Sequence, residues 1–386
     1  MTPAVTAVRM SGAADRAERP LLVLGPSLGT SATTLWPRCA TQLADVFDVL
    51  AWDLPGHGHN RAVPDEGFTV AELARGVLEV VDDVLAQRGD VGGPFFYAGD
   101  SVGGAVGLQL LLDVPARVAS AVLLCTGAKL GTGESWQERM EAVALTGTAG
   151  LVESSAKRWF GPGFLEREPD TASVLLQALQ QADDRGYAQV CQALASFDVR
   201  DRLGEITAPV LAVAGATDPA TPPELLQELA EGVRRGRLVV LDGVGHLAPA
   251  EAPLEVAALL RQHLLGEPVP DGADDGRTGD LTREFHELVT QYADGGIWDR
   301  PGLDRRSRSL VTLTALVARG HHEELAPHLR AALDNGVTLE EVTELLLQTA
   351  VHSGLPVANA AFRVVQQLLD GGQAVRNREA PSAEGP

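Results

Sequence analysis

Gly99-Asp100-Ser101-Val102-Gly103 sits between an apolar run, Phe95-Phe96-Tyr97-Ala98, and a helix-like run from Ala105 to Leu112. That spacing predicts a serine on a tight strand-to-helix turn, with its hydroxyl lifted clear of the backbone and glycines on either side leaving room for the bend. The N-terminus of the following helix would present N–H groups to a developing oxyanion. A second match, Gly25-Pro26-Ser27-Leu28-Gly29, follows the strand-like Leu21–Leu24 but leads into Thr30-Ser31-Ala32-Thr33-Thr34, read as a loop. Ser27 therefore lacks the helical half of the motif, and Ser101 is the expected nucleophile.

A serine nucleophile needs a base, and the base needs an acid to fix its tautomer. Asp218, in Gly215-Ala216-Thr217-Asp218-Pro219, and His246, in Gly243-Val244-Gly245-His246-Leu247, both fall just after candidate strands. The order Ser101, Asp218, His246 is the one required by the α/β-hydrolase fold. Val102 supplies one oxyanion N–H, and Leu28, in the turn that first looked like a rival, supplies the other. Asp198 and Asp201 compete with Asp218 for the acid role. His57 and His59 are read as parts of a turn, and Asp100 and Asp242 as residues that orient loops.

Positioning these groups requires a sheet. From Pro20 to about Leu265 short apolar runs alternate with longer helical patterns, which predicts a mostly parallel sheet flanked by helices. Candidate strands are Leu21–Leu24, Phe47–Trp52, Phe95–Ala98, Val118–Leu124, Val210–Ala214 and Leu238–Leu241. The helical stretch at about 131–203, between the fourth and fifth of these, reads as a cap. Trp136 and Arg139 within it either contact substrate or pack the cap. Trp159 and Phe160 are read as packing, with Arg158 beside them.

The domains expected are a hydrolase unit at 1–265, a Pro-, Gly- and Asp-rich linker at 266–280, an all-helical unit at 281–375 and a polar tail at 376–386. Helices are predicted at Leu281–Tyr292, Asp304–Arg319, His322–Asp334, Leu339–Ala350 and Val357–Leu369, punctuated by Gly320, Gly336 and Gly354.

With 31 Lys and Arg against 52 Asp and Glu, the formal charge is −21, which argues against nucleic acid as a partner. An anionic substrate would need local arginines, since the overall field repels it. Apolar runs fall short of the ~18 residues of a membrane span, and Met1 to Met10 carries no export-type segment, so a cytoplasmic protein is expected. Cys39, Cys125 and Cys191 fit small buried residues in a reducing compartment.

In the helical unit, Glu324 and His328 are four residues apart and share a helix face, with Arg305, Arg306 and Arg308 one helix earlier. They suit either a carboxylate–imidazole pair or an exposed, charge-laced helix. No ligand set with metal spacing completes itself.

The elbow, the Ser27 to Thr30 turn, the Asp53 to Gly58 loop, and the Gly215 to Pro222 and His246 to Pro253 stretches together resemble the 3-oxoadipate enol-lactonases, over roughly residues 20 to 265. The cap stretch Trp136 to Arg139 and the Trp159-Phe160 pair share the likeness. Pro26, Pro55 and Asn60 depart from it. Phe285, Trp298 to Leu303, Arg308-Ser309-Leu310, the Glu324-to-His328 helix, Asn335-Gly336-Val337 and Gly354-Leu355-Pro356 resemble 4-carboxymuconolactone decarboxylase, of the alkylhydroperoxidase-D-like fold. His321 and Glu324 stand at the positions of that fold's redox cysteines, and His352 replaces an aromatic residue.

The resemblance implies a fused two-step enzyme acting on small anionic lactones and needing no metal or organic cofactor. Loss of CO₂ leaves a carbanion that the lactone's own conjugated system delocalises. His328 positioned by Glu324 would return the proton, and Arg305 or Arg308 would grip carboxylates. Self-association through the helical unit is also implied. Alternatives are a hydrolase with a non-catalytic helical oligomerisation unit, a general esterase or cofactor-free haloperoxidase, and a ligand-binding protein on an inactive hydrolase fold.

Overall fold

The computed structural model describes residues 2–11, 18–266, 302–319, 322–353 and 361–366, with the side chains at 319, 322–324 and 352–353 outside the description. The chain divides into two compact units, Met1–Val269 and Pro270–Pro386. The expected linker from 267 onward, the helix Leu281–Tyr292 and the polar tail lie outside the described residues.

The first unit is built on a seven-stranded sheet: β1 (Thr6–Arg9), β2 (Leu21–Gly25), β3 (Asp48–Asp53), β4 (Phe95–Asp100), β5 (Val118–Leu124), β6 (Val210–Gly215) and β7 (Gly236–Leu241). Their order is β1-β3-β2-β4-β5-β6-β7. Six strands are parallel; the apolar runs of β2 and β6 are buried throughout, as in a sheet covered on both faces, whereas the edge strand β7 is largely half-exposed. The strand not foreseen is β1, which pairs antiparallel with β3, Thr6 opposite Asp53. At four half-buried residues, it carries too little apolar pattern to read in isolation.

Leu21 to Leu24, Ala121 to Leu124 and Val210 to Ala214 are almost wholly buried. Each such Leu or Val side chain contributes about 1.5–3 kcal/mol relative to exposure. The helix Val102–Asp113 is apolar nearly all round because it packs on β2, β4 and β5 and also against the helix Val70–Gln87. Thr69 starts that second helix with a capping box: its hydroxyl accepts from Glu72 N–H at 3.2 Å, while Glu72 accepts from Thr69 N–H at 2.9 Å.

Between β5 and β6 lie the cap helices Gly133–Thr146, Val152–Trp159, Phe164–Arg167, Pro169–Gln180 and Asp184–Ala195, over the stretch expected for a cap.

The second unit packs the helices Arg305–Arg319, His322–Asp334 and Leu339–Ser353 around Leu313, Val317, Leu325, Leu329, Val342 and Leu346, joined by Ala361 and Val365 from the helical residues 361–366. Asp304 caps the first of these helices, accepting from Ser307 N–H at 2.7 Å. Gly336, with φ +89°, turns the chain after the second, as expected. Gly320 and Gly354 lie outside the described residues.

Candidate active site

Ser101, between β4 and the helix Val102–Asp113, has φ 54° and ψ −114°, a conformation that costs a non-glycine residue energy and persists only where its surroundings enforce it. Those surroundings are close. A Cβ on Gly99 would lie 2.3 Å from the Gly103 carbonyl carbon, and one on Gly103 would lie 2.6 Å from that of Gly25. Glycine at both positions lets β2, β4 and the helix meet. Ser101 N–H donates to Leu124 O at 2.9 Å and its carbonyl accepts from Thr126 Oγ1 at 2.7 Å, so neighbouring β5 pins the turn.

His246 Nε2 stands 3.0 Å from Ser101 Oγ, and Nδ1 stands 2.7 Å from Asp218 Oδ2. With Asp218 ionised, Nδ1 is the donor, which leaves Nε2 as acceptor for the serine proton. Burial alone would raise the Asp218 carboxyl, but the charge and hydrogen bond of His246, together with the hydrogen bonds from Thr221, outweigh it and hold it below its ordinary value. Thr221 donates through Oγ1 to Asp218 Oδ2 at 2.5 Å and through N–H to Oδ1 at 3.1 Å; Ala220 N–H adds a third bond at 2.7 Å. Asp198 instead pairs with Arg200 and Lys129, at 2.7 and 3.4 Å.

A further carboxylate holds the histidine loop from behind. Glu251 accepts from Gly161 N–H at 2.7 Å, and from Gly245 and Leu247 N–H at 3.2 Å each, while His246 N–H donates to Trp159 O at 2.8 Å. The cap segment 159–161 and both flanks of His246 are thus clipped together. Thr221 and Glu251 were missed as candidates although both lie in motif stretches singled out above; the signal was a hydroxyl three residues after the acid and an acid five residues after the histidine.

The Val102 and Leu28 amides make no hydrogen bond among the described residues. Leu28, Ser101 and His246 share a cavity of about 110 Å³ with Trp136, Arg139, Arg158 and Trp159. Trp136 donates from Nε1 to Leu130 O at 2.6 Å, so it packs the cap and faces the cavity at once. The Ser27 turn differs from expectation: a four-residue helix, Ala32–Leu35, follows within the stretch read as loop. Asp53 accepts from Ala32 N–H at 2.6 Å, and Thr34 Oγ1 accepts from Ser31 N–H at 3.0 Å, so both hold its first turn. Because the helix starts five residues beyond Ser27, the turn is still no elbow.

His57 is buried, with Nδ1 2.9 Å from Pro55 O and its ring stacked on Tyr187; burial pushes it below its usual value. His59 sits 3.2 Å from Asp53 Oδ2. Asp100 is fully buried, and neither of its oxygens meets a partner within hydrogen-bond distance among the described residues. Burial first, then the Asp218 and Glu251 charges, push it well above the usual carboxylate range, and Ser27 offsets this least.

In the second unit, Arg305 is exposed and Arg308 half-buried on the helix Arg305–Arg319, where Arg308 Nε donates to Leu303 O at 3.0 Å. Arg306 is tied to Glu341 and to Gly336 O. His328 is half-buried on the helix His322–Asp334. The Glu324 and His352 side chains and His321 lie outside the described residues. A groove of about 480 Å³, lined by Leu310, Thr314, Glu341 and Leu345 among others, includes none of Arg305, Arg308 and His328. Among the described residues no cluster of three or more His, Cys, Asp or Glu could hold a metal ion, and no helix is long and apolar enough to cross a membrane.

The alpha/beta hydrolase fold family matches residues 20–253, and the Carboxymuconolactone decarboxylase family matches residues 283–367. Over 238 residues the chain is 33% identical to 3-oxoadipate enol-lactonase 2 of Acinetobacter baylyi, spanning 62% of this chain and 86% of that protein. Over another 90 residues it is 43% identical to the 4-carboxymuconolactone decarboxylase of the same organism, spanning 23% of this chain and 67% of that one. The crystal structure of the enol-lactonase from Burkholderia xenovorans LB400 superposes with a TM-score of 0.62 at 27% identity, covering 68% of this chain and 96% of that one.

Proposed function

We infer that this chain, which belongs to the α/β-hydrolase family and carries a carboxymuconolactone decarboxylase family unit behind it, catalyses two consecutive reactions. The helical unit decarboxylates 4-carboxymuconolactone, and the hydrolase unit opens the resulting enol-lactone to 3-oxoadipate. The observation that carries the reading is the hydrogen-bonded chain Ser101, His246, Asp218, whose first two members open onto a cavity lined by two arginines, on the same polypeptide as a unit akin to the enzyme that makes such a lactone.

In the hydrolytic half, Ser101 Oγ attacks the lactone carbonyl as its proton passes to His246 Nε2. The Leu28 and Val102 N–H groups receive the oxyanion, and Asp218 stabilises the imidazolium. Collapse breaks the ring C–O bond, and the enolate takes the proton from His246 and becomes a ketone. Water, deprotonated by His246, then cleaves the acyl-serine and releases the acid. In the decarboxylating half, His328 positioned by Glu324 reprotonates the delocalised carbanion and Arg305 or Arg308 grips a carboxylate. Both steps belong to cytoplasmic catabolism of protocatechuate-type aromatics, and the helical unit drives self-association.

A second reading keeps the hydrolase and makes the helical unit a non-catalytic oligomerisation element; exposed Val311, Leu347, Val351 and Phe362 favour it. Supplying the purified chain with 4-carboxymuconolactone separates the two. Release of CO₂ together with 3-oxoadipate supports the bifunctional reading. Hydrolysis of added enol-lactone without CO₂ release from its precursor supports the second.

A further inference from the structure

The chain carries 52 acidic residues against 31 Lys and Arg, yet among the described residues the cavity over Ser101 is lined by two arginines and by no Asp or Glu. The two are held differently. Arg139 is anchored: Nε donates to Tyr187 Oη at 2.7 Å, Nη2 donates to Ser155 Oγ at 3.2 Å, and the guanidinium stacks 5.6 Å from the Tyr187 ring centroid. Arg158, in the last turn of the cap helix Val152–Trp159, stands exposed at the cavity and makes no hydrogen bond or ion pair among the described residues. Its neighbour Lys157 is engaged with Glu153 at 2.7 Å and does not line the cavity.

Although Arg158 is exposed as a whole, partial burial of its guanidinium, and then the positive charge of Arg139, push it below its usual value. Two like charges facing one cavity, with no Asp or Glu lining it among the described residues and only the Asp218 charge behind His246 to offset them, repel each other until an anion enters. A planar guanidinium with its donors uncommitted suits a carboxylate, which it can hold through two parallel hydrogen bonds.

We propose that Arg158, next to the anchored Arg139, forms a carboxylate-binding subsite that selects esters and lactones bearing a free acid over their neutral counterparts. The substrate class rests on the hydrolase reading above, whereas the charge recognition does not depend on which lactone is turned over. Arg139 supplies a fixed wall, and Arg158 supplies the donors that close on the acid.

The test uses the full chain and two chromogenic esters of one skeleton, mono-4-nitrophenyl glutarate and its neutral methyl 4-nitrophenyl diester. Arg158→Gln is expected to raise KM for the acid by about 10- to 100-fold, with kcat changed less than about threefold and the diester unaffected within about twofold. Arg158→Lys should recover part of the loss. Equal losses on both esters, or no loss on the acid, overturn the proposal.

A binding arm does not need turnover. In a Ser101→Ala background, the fluorescence of the cavity-lining Trp136 and Trp159 reports titration with pentanoate and with pentanamide. Tighter binding of pentanoate, weakened at least about tenfold by added Arg158→Gln, supports the subsite. Equal affinity for the two probes overturns it, even if neither ester is hydrolysed, an outcome that would count against the hydrolase reading instead.

Discussion

In the first unit, Ser101, Asp218 and His246 follow the ends of β4, β6 and β7, with His246 3.0 Å from Ser101 Oγ on one side and 2.7 Å from Asp218 Oδ2 on the other. In the second, Arg305, Arg308 and His328 ride on two packed helices, Arg308 engaged with a backbone carbonyl. Loops at strand ends converge because the parallel sheet brings its C-terminal edges together, so a short motif after each strand suffices to build a site. Helix-borne groups converge only when each helix is rotated correctly against its neighbours. The first site is thus preorganised by backbone topology, whereas the site proposed for the second unit would depend on side-chain packing.

This contrast can be broken by changing one group at a time. Asp218→Asn leaves the loop in place but favours the wrong imidazole tautomer, so kcat for enol-lactone hydrolysis should fall about 10⁴-fold while CO₂ release persists. A modest loss would mean that Thr221 or another group supplies the acid function. His328→Ala should slow decarboxylation by about 10²- to 10⁴-fold and spare lactone hydrolysis. Unchanged CO₂ release would remove His328 from the chemistry and favour the oligomerisation reading.

Glu251→Ala frees the Gly161, Gly245 and Leu247 amides at once. Hydrolysis should drop about 10- to 100-fold through misplacement of His246. Glu251→Gln, which keeps an acceptor oxygen, should fall between, and wild-type rates in Glu251→Ala would show that the clip is dispensable.

The smallest effect concerns stability. The raised value of Asp100 means that the native state keeps a proton which the unfolded chain gives up above its ordinary value of 3.8. The stabilisation it provides is complete in acid and is lost with rising pH until the folded value is passed, by up to about 1.4 kcal/mol per pH unit. Asp100→Asn cannot titrate. Its melting temperature should therefore decline less than that of the unsubstituted chain between about pH 5 and about pH 8; parallel declines would show that Asp100 is ionised in the native protein.

The parallel strands and the order of the triad could be read from the sequence because buried strands declare themselves as apolar runs and each functional residue follows one closely. β1 could not, since an edge strand of four half-buried residues gains its identity from β3, some forty positions away. The helix Ala32–Leu35 is harder to read: Ser31 and Thr34 cap it locally, but at four residues it is held by a tertiary bond as well, from Ala32 N–H to Asp53. Arg139 and Arg158 both sit in a cap that the sequence outlines, but the anchoring of one by Tyr187 and Ser155 is a tertiary fact. The pairing of Glu324 with His328 is a spacing argument, and Glu324's side chain lies outside the described residues.

The central claim is that one chain makes and then opens the same lactone at two separate sites. The direct test is Ser101→Ala supplied with 4-carboxymuconolactone, with CO₂, enol-lactone and 3-oxoadipate followed together. CO₂ release is expected at the unsubstituted rate, with enol-lactone accumulating in equal amount and 3-oxoadipate formed only as fast as the lactone opens spontaneously. Undiminished enzymatic formation of 3-oxoadipate, or no CO₂ release from either protein, would contradict it.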